Sequence, residues 1–134
     1  MTTTRYAHTQ YLELSASAES TAAAGYPADN SYGFSKAALN SLTMLQAAQL
    51  PPHVLVNACS PGFIMTDLTL GWMGLDALRA NGALTPTEGT VSTMALLFGD
   101  AAAIGRGRYF GSDGLRSPLS MYRKPGTPAY EGEQ

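Results

Sequence analysis

Residues 31–62 read SYGFSKAALNSLTMLQAAQLPPHVLVNACSPG, and three kinds of order follow one another in them. From Ser31 to about Leu50 the apolar residues Phe34, Ala37, Ala38, Leu42, Leu45 and Ala48 recur at steps of three and four, which predicts a helix of some five turns. It is nearly apolar all round, so most of its faces should be covered. Pro51 and Pro52 end it, because a proline lacks the N–H and its ring clashes with the preceding turn. HVLVNAC (53–59) is then a short, continuous, β-branched run, the pattern of a strand buried on both faces of a parallel sheet. SPG (60–62) closes that strand with turn residues.

Working outward, TQYLELSASAESTAAAG (9–25) is an alanine-rich helix with Gly25 as its stop, and YPADN (26–30) is a loop. Residues 1–10 are polar and featureless, a loose end before one partial domain spanning 11–134. Residues 63–85 are loop-like, with a short helix at LDALRA (75–80). TPTEGTVSTMALLFG (85–99) has a helix start built from Thr85 as N-cap, Pro86 at the first position and Glu88 three residues after the cap. GRYFGS (107–112) is a second short strand, and the tail, rich in Gly, Pro and Arg, is irregular. Helix, strand, helix, strand is half of an α/β pattern. Two strands do not cover the edges of a central sheet, so further strands are expected outside these residues.

At 134 residues, with 45% apolar residues, the chain has the composition of a folded domain or part of one. Only 13% of residues are charged, about half the usual share, so much of the surface is buried within the fold or against a partner. The net charge of −2 leaves too few basic residues for a phosphate backbone, which argues against nucleic acid. No apolar stretch reaches the roughly 20 residues that span a bilayer, so no membrane association is expected. The N-terminus MTTTRYAHTQ has no signal-peptide core, and the lone Cys59 allows no internal disulfide. Together these predict a cytoplasmic protein. Cys59 lies in an apolar run and reads as a buried structural thiol. His8 and His53 have no second ligand at metal spacing, so no metal site is expected.

Lys36 is the only basic residue between Arg5 and Arg79, and it stands four positions after Tyr32. That spacing puts the pair on one helical face. A phenol has a pKa near 10 and is a poor acid or base at neutral pH. A nearby ammonium favours the phenolate and brings the group toward its working range. Lysine can also hydrogen-bond ribose hydroxyls. By itself the motif is weak: with seven tyrosines, a chance Tyr-x-x-x-Lys arises in roughly a third of such chains. SPG alone reads first as an ordinary strand-ending turn.

The motif does not stand alone. YGFSKAALNSLT (32–43), VLVNACSPGFIMTDLT (54–69) and TPTEGTVSTMALLFG (85–99), in that order and at those separations, resemble the C-terminal half of the short-chain dehydrogenase/reductase family, in its carbonyl-reductase flavour. The resemblance covers about residues 10–120. It implies the C-terminal part of a Rossmann-type doubly wound parallel sheet, its N-terminal strands missing, with NADP, or else NAD, as cofactor. It implies that Tyr32 exchanges the proton with the substrate carbonyl or alcohol, while Lys36 tunes it and binds the nicotinamide ribose. Pro61-Gly62-Phe63-Ile64-Met65-Thr66 would line the nicotinamide end, with the Ile64 backbone at the carboxamide and Thr66 bonded to the carboxamide or the phosphates. A side chain at Gly62 would then collide with the flat ring. Leu68, Leu70, Trp72, Met73 and Leu75 suggest an apolar lid, with Trp72 and Met73 at a small-molecule substrate; ordinary packing of a short helix reads the same residues equally well.

The family's glycine-rich pyrophosphate turn has no counterpart in these residues: GRGRYFG (105–111) follows a helix and carries Phe110 where a glycine is needed. Glu19 stands thirteen residues before Tyr32, where the family places its catalytic serine. Ser15, Ser17 and Ser20 lie in a helical pattern resembling the carbonyl-reductase insertion, so none takes that role. Two expectations follow. One is an NAD(P)(H)-dependent oxidoreductase of the carbonyl-reductase type. The other is a non-catalytic truncated remnant that binds an intact family member. A serine hydrolase is excluded by the absence of Gly-x-Ser-x-Gly. Substrate identity and oligomeric state are not legible.

Overall fold

The computed structural model describes residues 18–25, 31–119, 121 and 123–132. Helix α1 (Ala18–Ala23) closes at Gly25, whose φ of 80° lets its N–H turn back to the Ala22 carbonyl at 3.0 Å. The start of the predicted first helix, the loose residues 1–10 and the loop 26–30 lie outside the described residues.

Helix α2 (Ser31–Gln49) has the predicted length. A last bond from Leu50 N–H to the Gln46 carbonyl leads to Pro51, and Val54 N–H turns back to the Pro51 carbonyl. The expected covering of this helix is not found. Only Thr43 and Ala47 are buried, while Tyr32, Leu39 and Leu42 are exposed. The reason lies in where the helix is held. Its C-terminal end meets the approach to the second strand: a methyl at Gly107 would stand 3.2 Å from Ala47 Cβ, and Arg106 Nη2 donates to the Leu50 carbonyl at 3.0 Å.

Strand β1 (Ala58–Cys59) pairs in parallel with β2 (Tyr109–Phe110), Ala58 opposite Tyr109 and Cys59 opposite Phe110. Flanking bonds extend the ladder, from Gly107 N–H to Val56 O, Ala58 N–H to Arg108 O and Ser60 N–H to Phe110 O. Asn57 clamps its lower end, donating to Gly105 O and accepting Arg108 N–H, each at 2.9 Å. The strand predicted over 53–59 is thus shorter, and it is half-buried with Leu55 exposed instead of buried on both faces. Cys59 is also half-buried, its Sγ 3.9 Å from Thr93 Oγ1.

The tail is not wholly irregular. Asp113-Gly114 turns the chain into β3 (Arg116–Ser117), antiparallel to β2, giving a mixed sheet in the order β1-β2-β3. Gly114 supplies φ of 74°, and Gly111 N–H closes the hairpin on the Leu115 carbonyl at 2.9 Å. Beyond it, Arg123 folds back, 8% exposed, donating to Asp113 Oδ1, Ser117 Oγ and the Thr127 carbonyl. Tyr130 N–H then bonds to the Arg116 carbonyl at 2.9 Å along the outer edge of β3.

Between β1 and β2 lie α3 (Asp67–Met73), α4 (Leu75–Ala80), a 3₁₀ turn (Glu88–Thr90), α5 (Val91–Phe98) and α6 (Ala101–Ile104). Helix α3 replaces expected loop. The Thr85–Glu88 box forms as read, Glu88 Oε2 accepting both Thr85 N–H and Thr85 Oγ1–H, although the first turn it opens is 3₁₀. Ala47, Leu78 and Phe110 form the buried apolar core of the described residues, and no helix among these is long and apolar enough to cross a membrane.

Candidate active site

Tyr32 and Lys36 occupy the first two turns of α2, and helical geometry brings them together as the spacing requires. The Lys36 ammonium stands over the Tyr32 ring, 5.3 Å from its centroid. Both side chains face solvent, Tyr32 at 70% exposure, so the phenol and the ammonium are open to a ligand. Ser35 Oγ donates to the Tyr32 carbonyl at 2.8 Å, a local bond on the helix's first turn.

The 60–66 segment is built where β1 ends. Gly62 has φ of 87°, a left-handed conformation, and its N–H donates to Ser60 Oγ at 3.2 Å. A methyl added there would lie 2.9 Å from Ser112 Cβ and 3.4 Å from Leu84 Cδ1. The protein's own packing and the backbone twist are enough by themselves to call for a glycine here. Leu84 then grips the segment from both sides, its N–H on Phe63 O and its carbonyl accepting Met65 N–H, each at 2.8 Å. Pro61 is exposed, and Ile64 is half-buried with its side chain against Gly89. Among the described residues the Ile64 N–H has no acceptor.

Thr66 is the N-cap of α3. Its hydroxyl accepts Thr69 N–H at 3.4 Å, and its own N–H is returned to Thr69 Oγ1 at 2.8 Å. Sequence reading missed α3 and Thr69 because this box closes on a threonine instead of the usual Glu or Gln. The signal was present in Thr66-Asp67, an N-cap followed by an acid in the first turn. Helices α3 and α4 meet at Gly74 and are pinned below by the buried Thr69 and Leu78. Trp72, at 65%, and Met73 are exposed, together with Leu68, Leu70 and Leu75. Packing of a short helix does not account for that apolar surface.

The predicted site residues thus form two constellations, Tyr32–Lys36 on α2 and Pro61–Thr66 leading into the Trp72–Met73 helix, and no hydrogen bond or ring contact among the described residues links them. No group of three or more His, Cys, Asp or Glu placed to hold a metal ion occurs among the described residues.

A family model described as enoyl-(acyl carrier protein) reductase matches residues 10–111, which include both constellations and the β1–β2 pair. The chain belongs to the short-chain dehydrogenase/reductase family. Membership in this family makes it an oxidoreductase by descent. No curated protein and no solved structure matches the chain significantly.

A nicotinamide cofactor is typical of the family, and the polar groups of the two constellations suit one. The unaccepted Ile64 N–H, the exposed Thr66 and the open Tyr32 and Lys36 heads are groups that a carboxamide and a ribose can bond.

Proposed function

We propose that this short-chain dehydrogenase/reductase chain carries the catalytic and substrate half of an NAD(P)(H)-dependent carbonyl reductase, acting on a small-molecule carbonyl or alcohol in the cytoplasm. The observation that carries this is the Lys36 ammonium 5.3 Å from the Tyr32 ring centroid on an open helix face, inside the family-matched region. When bound, the cofactor supplies the hydride. Tyr32 holds the proton that goes to the substrate oxygen, and returns to the phenol form by taking one from solvent. Lys36 places positive charge over the Tyr32 ring and offers N–H donors to ribose hydroxyls. Ile64 N–H and Thr66 bind and orient the carboxamide end. Trp72 and Met73 offer apolar surface that would shed water from the reacting centre. The parallel β1–β2 pair supports a place for this chain in a doubly wound sheet.

Titrating the 134-residue chain with NADPH and NADH, followed by nicotinamide fluorescence, tests the reading. Saturable micromolar binding of NADPH or NADH is expected. Carbonyl turnover should fall by about 10²–10⁴-fold in Tyr32→Phe with cofactor affinity kept, the range of a lost general acid. No binding would sink the enzyme reading, and turnover of an enoyl thioester in place of a carbonyl would overturn the substrate class alone. The exposure of Leu39 and Leu42 on α2 favours a second reading, a non-catalytic chain whose open apolar face binds an intact family member. Absence of cofactor binding with co-purification of such a member would select it.

A further inference from the structure

The hydroxyl of Thr69 reaches four polar groups of the Ile64–Thr66 corner, while Leu84 holds its Met65 N–H. It donates to the Ile64 carbonyl at 2.7 Å and lies 3.0 Å from the Thr66 carbonyl. It accepts Thr66 N–H at 2.8 Å and stands 3.2 Å from Thr66 Oγ1. The residue is 8% exposed, whereas Thr66 and the neighbours Asp67 and Leu68 face solvent. Thr69 therefore meets no ligand, while it touches the segment assigned above to the nicotinamide end.

Its proton inventory decides what that segment can offer. A threonine hydroxyl has one hydrogen and two lone pairs. The Thr69 hydrogen is committed to the shortest bond, at the Ile64 carbonyl, leaving its lone pairs for Thr66 N–H and Thr66 O–H. The Thr66 hydroxyl hydrogen is thereby turned inward to Thr69, and the outward part of Thr66 Oγ1 is a lone pair. A lone pair can take an N–H from a carboxamide amine; it has nothing to give a phosphate oxygen.

We infer that Thr69 is a positioning residue, which locks the Ile64–Thr66 corner and presents Thr66 Oγ1 as an acceptor for a primary amide and not as a donor to a phosphate. This rests on the cofactor reading above. The role is one step removed from the ligand: Thr69 sets the direction in which Thr66 bonds.

The test uses the full 134-residue chain and three proteins, wild type, Thr69→Val and Thr69→Ser. Valine keeps the shape and removes the hydroxyl; serine keeps the hydroxyl. Two probes are titrated into each, the reduced dinucleotide and the matching ADP-ribose, which has the phosphates without the nicotinamide. Thr69→Val is expected to weaken the reduced dinucleotide about tenfold and leave ADP-ribose unchanged, with Thr69→Ser restoring the wild-type value within about twofold. Without any ligand, exchange of the Thr66 amide should quicken in Thr69→Val alone, and emission from Trp72, the single tryptophan, on the same helix, should shift with it. Equal loss for both probes would place Thr66 at the phosphates or show collapse of the corner, and either overturns the inference. Unchanged dinucleotide affinity in Thr69→Val overturns it as well. Failure of wild type to bind either probe overturns the cofactor reading, and the inference with it; that outcome is visible before any variant is made.

Discussion

Gly62 shows how much a single residue carries at the end of β1. Its left-handed φ of 87° costs a side-chain-bearing residue about 1–2 kcal/mol, and the 2.9 Å approach to Ser112 Cβ adds an overpacking cost of similar size. Gly62→Ala should therefore lower stability by about 2–3 kcal/mol in urea denaturation. Ser112→Gly in that background should recover the steric part and leave the conformational part, so full recovery would show that the backbone twist is unimportant. At this scale the sequence was legible wherever chemistry depends on spacing. Tyr32 and Lys36 were placed from four residues of separation alone, because helix geometry leaves no other arrangement. Thr69 was not legible, since its role comes from a reciprocal bond with Thr66 that composition does not announce.

At the scale of elements, the Thr85–Glu88 box was read correctly in its residues and incorrectly in the helix it opens. The carboxylate accepts Thr85 N–H and the Thr85 hydroxyl, and these two bonds, the backbone one first, hold Glu88 below the usual carboxylate range. A depressed folded-state value means the stabilisation is fully present above the ordinary glutamate pKa and is lost as pH falls through the lowered one. Acidification below about pH 4 should thus loosen the 3₁₀ turn before α5, seen as faster amide exchange from Val91 onward. Glu88→Ala should show that looseness already at neutral pH; identical protection in the variant would count against the box. The helix α3 and the strand β3 escaped the sequence for a common reason. Both are short, and each is fixed by side-chain bonds, Thr69 to the loop behind it and Arg123 to Asp113 and Ser117, that no periodicity reveals.

At the scale of the molecule, the nearly buried Arg123 ties the C-terminal segment to the β2–β3 hairpin, beside the bonds of Arg116 to Tyr130 and Gly132. Burial of Asp113 works against its charge, but Leu115 N–H, the Arg123 guanidinium and Gly126 N–H outweigh it and keep the carboxyl below the usual aspartate range. The sign is again that of a depressed acid, so this contribution holds above the ordinary aspartate value and is lost as pH falls beneath it. Asp113→Ala, which strands a buried guanidinium, should cost about 3 kcal/mol in the denaturation midpoint and release the tail to proteolysis. Arg123→Met, which removes the charge and keeps the stem, should cost less; equal losses would mean that packing, not charge, binds the tail. The open first half of α2 was the largest error of expectation, because an apolar periodicity states that a face should be covered and is silent on what covers it.

The sheet also has a direction of growth. Tyr130 occupies the outer edge of β3, so that side is sealed by the chain's own tail. On the opposite side, β1 spends the N–H groups of Ala58 and Ser60 on β2, and the Cys59 N–H between them has no acceptor among the described residues. Among the described residues, the seat left for a strand that lengthens this sheet lies alongside β1. The sheet is a one-ended template, and the end that remains open is the one from which the Pro61–Thr66 corner emerges.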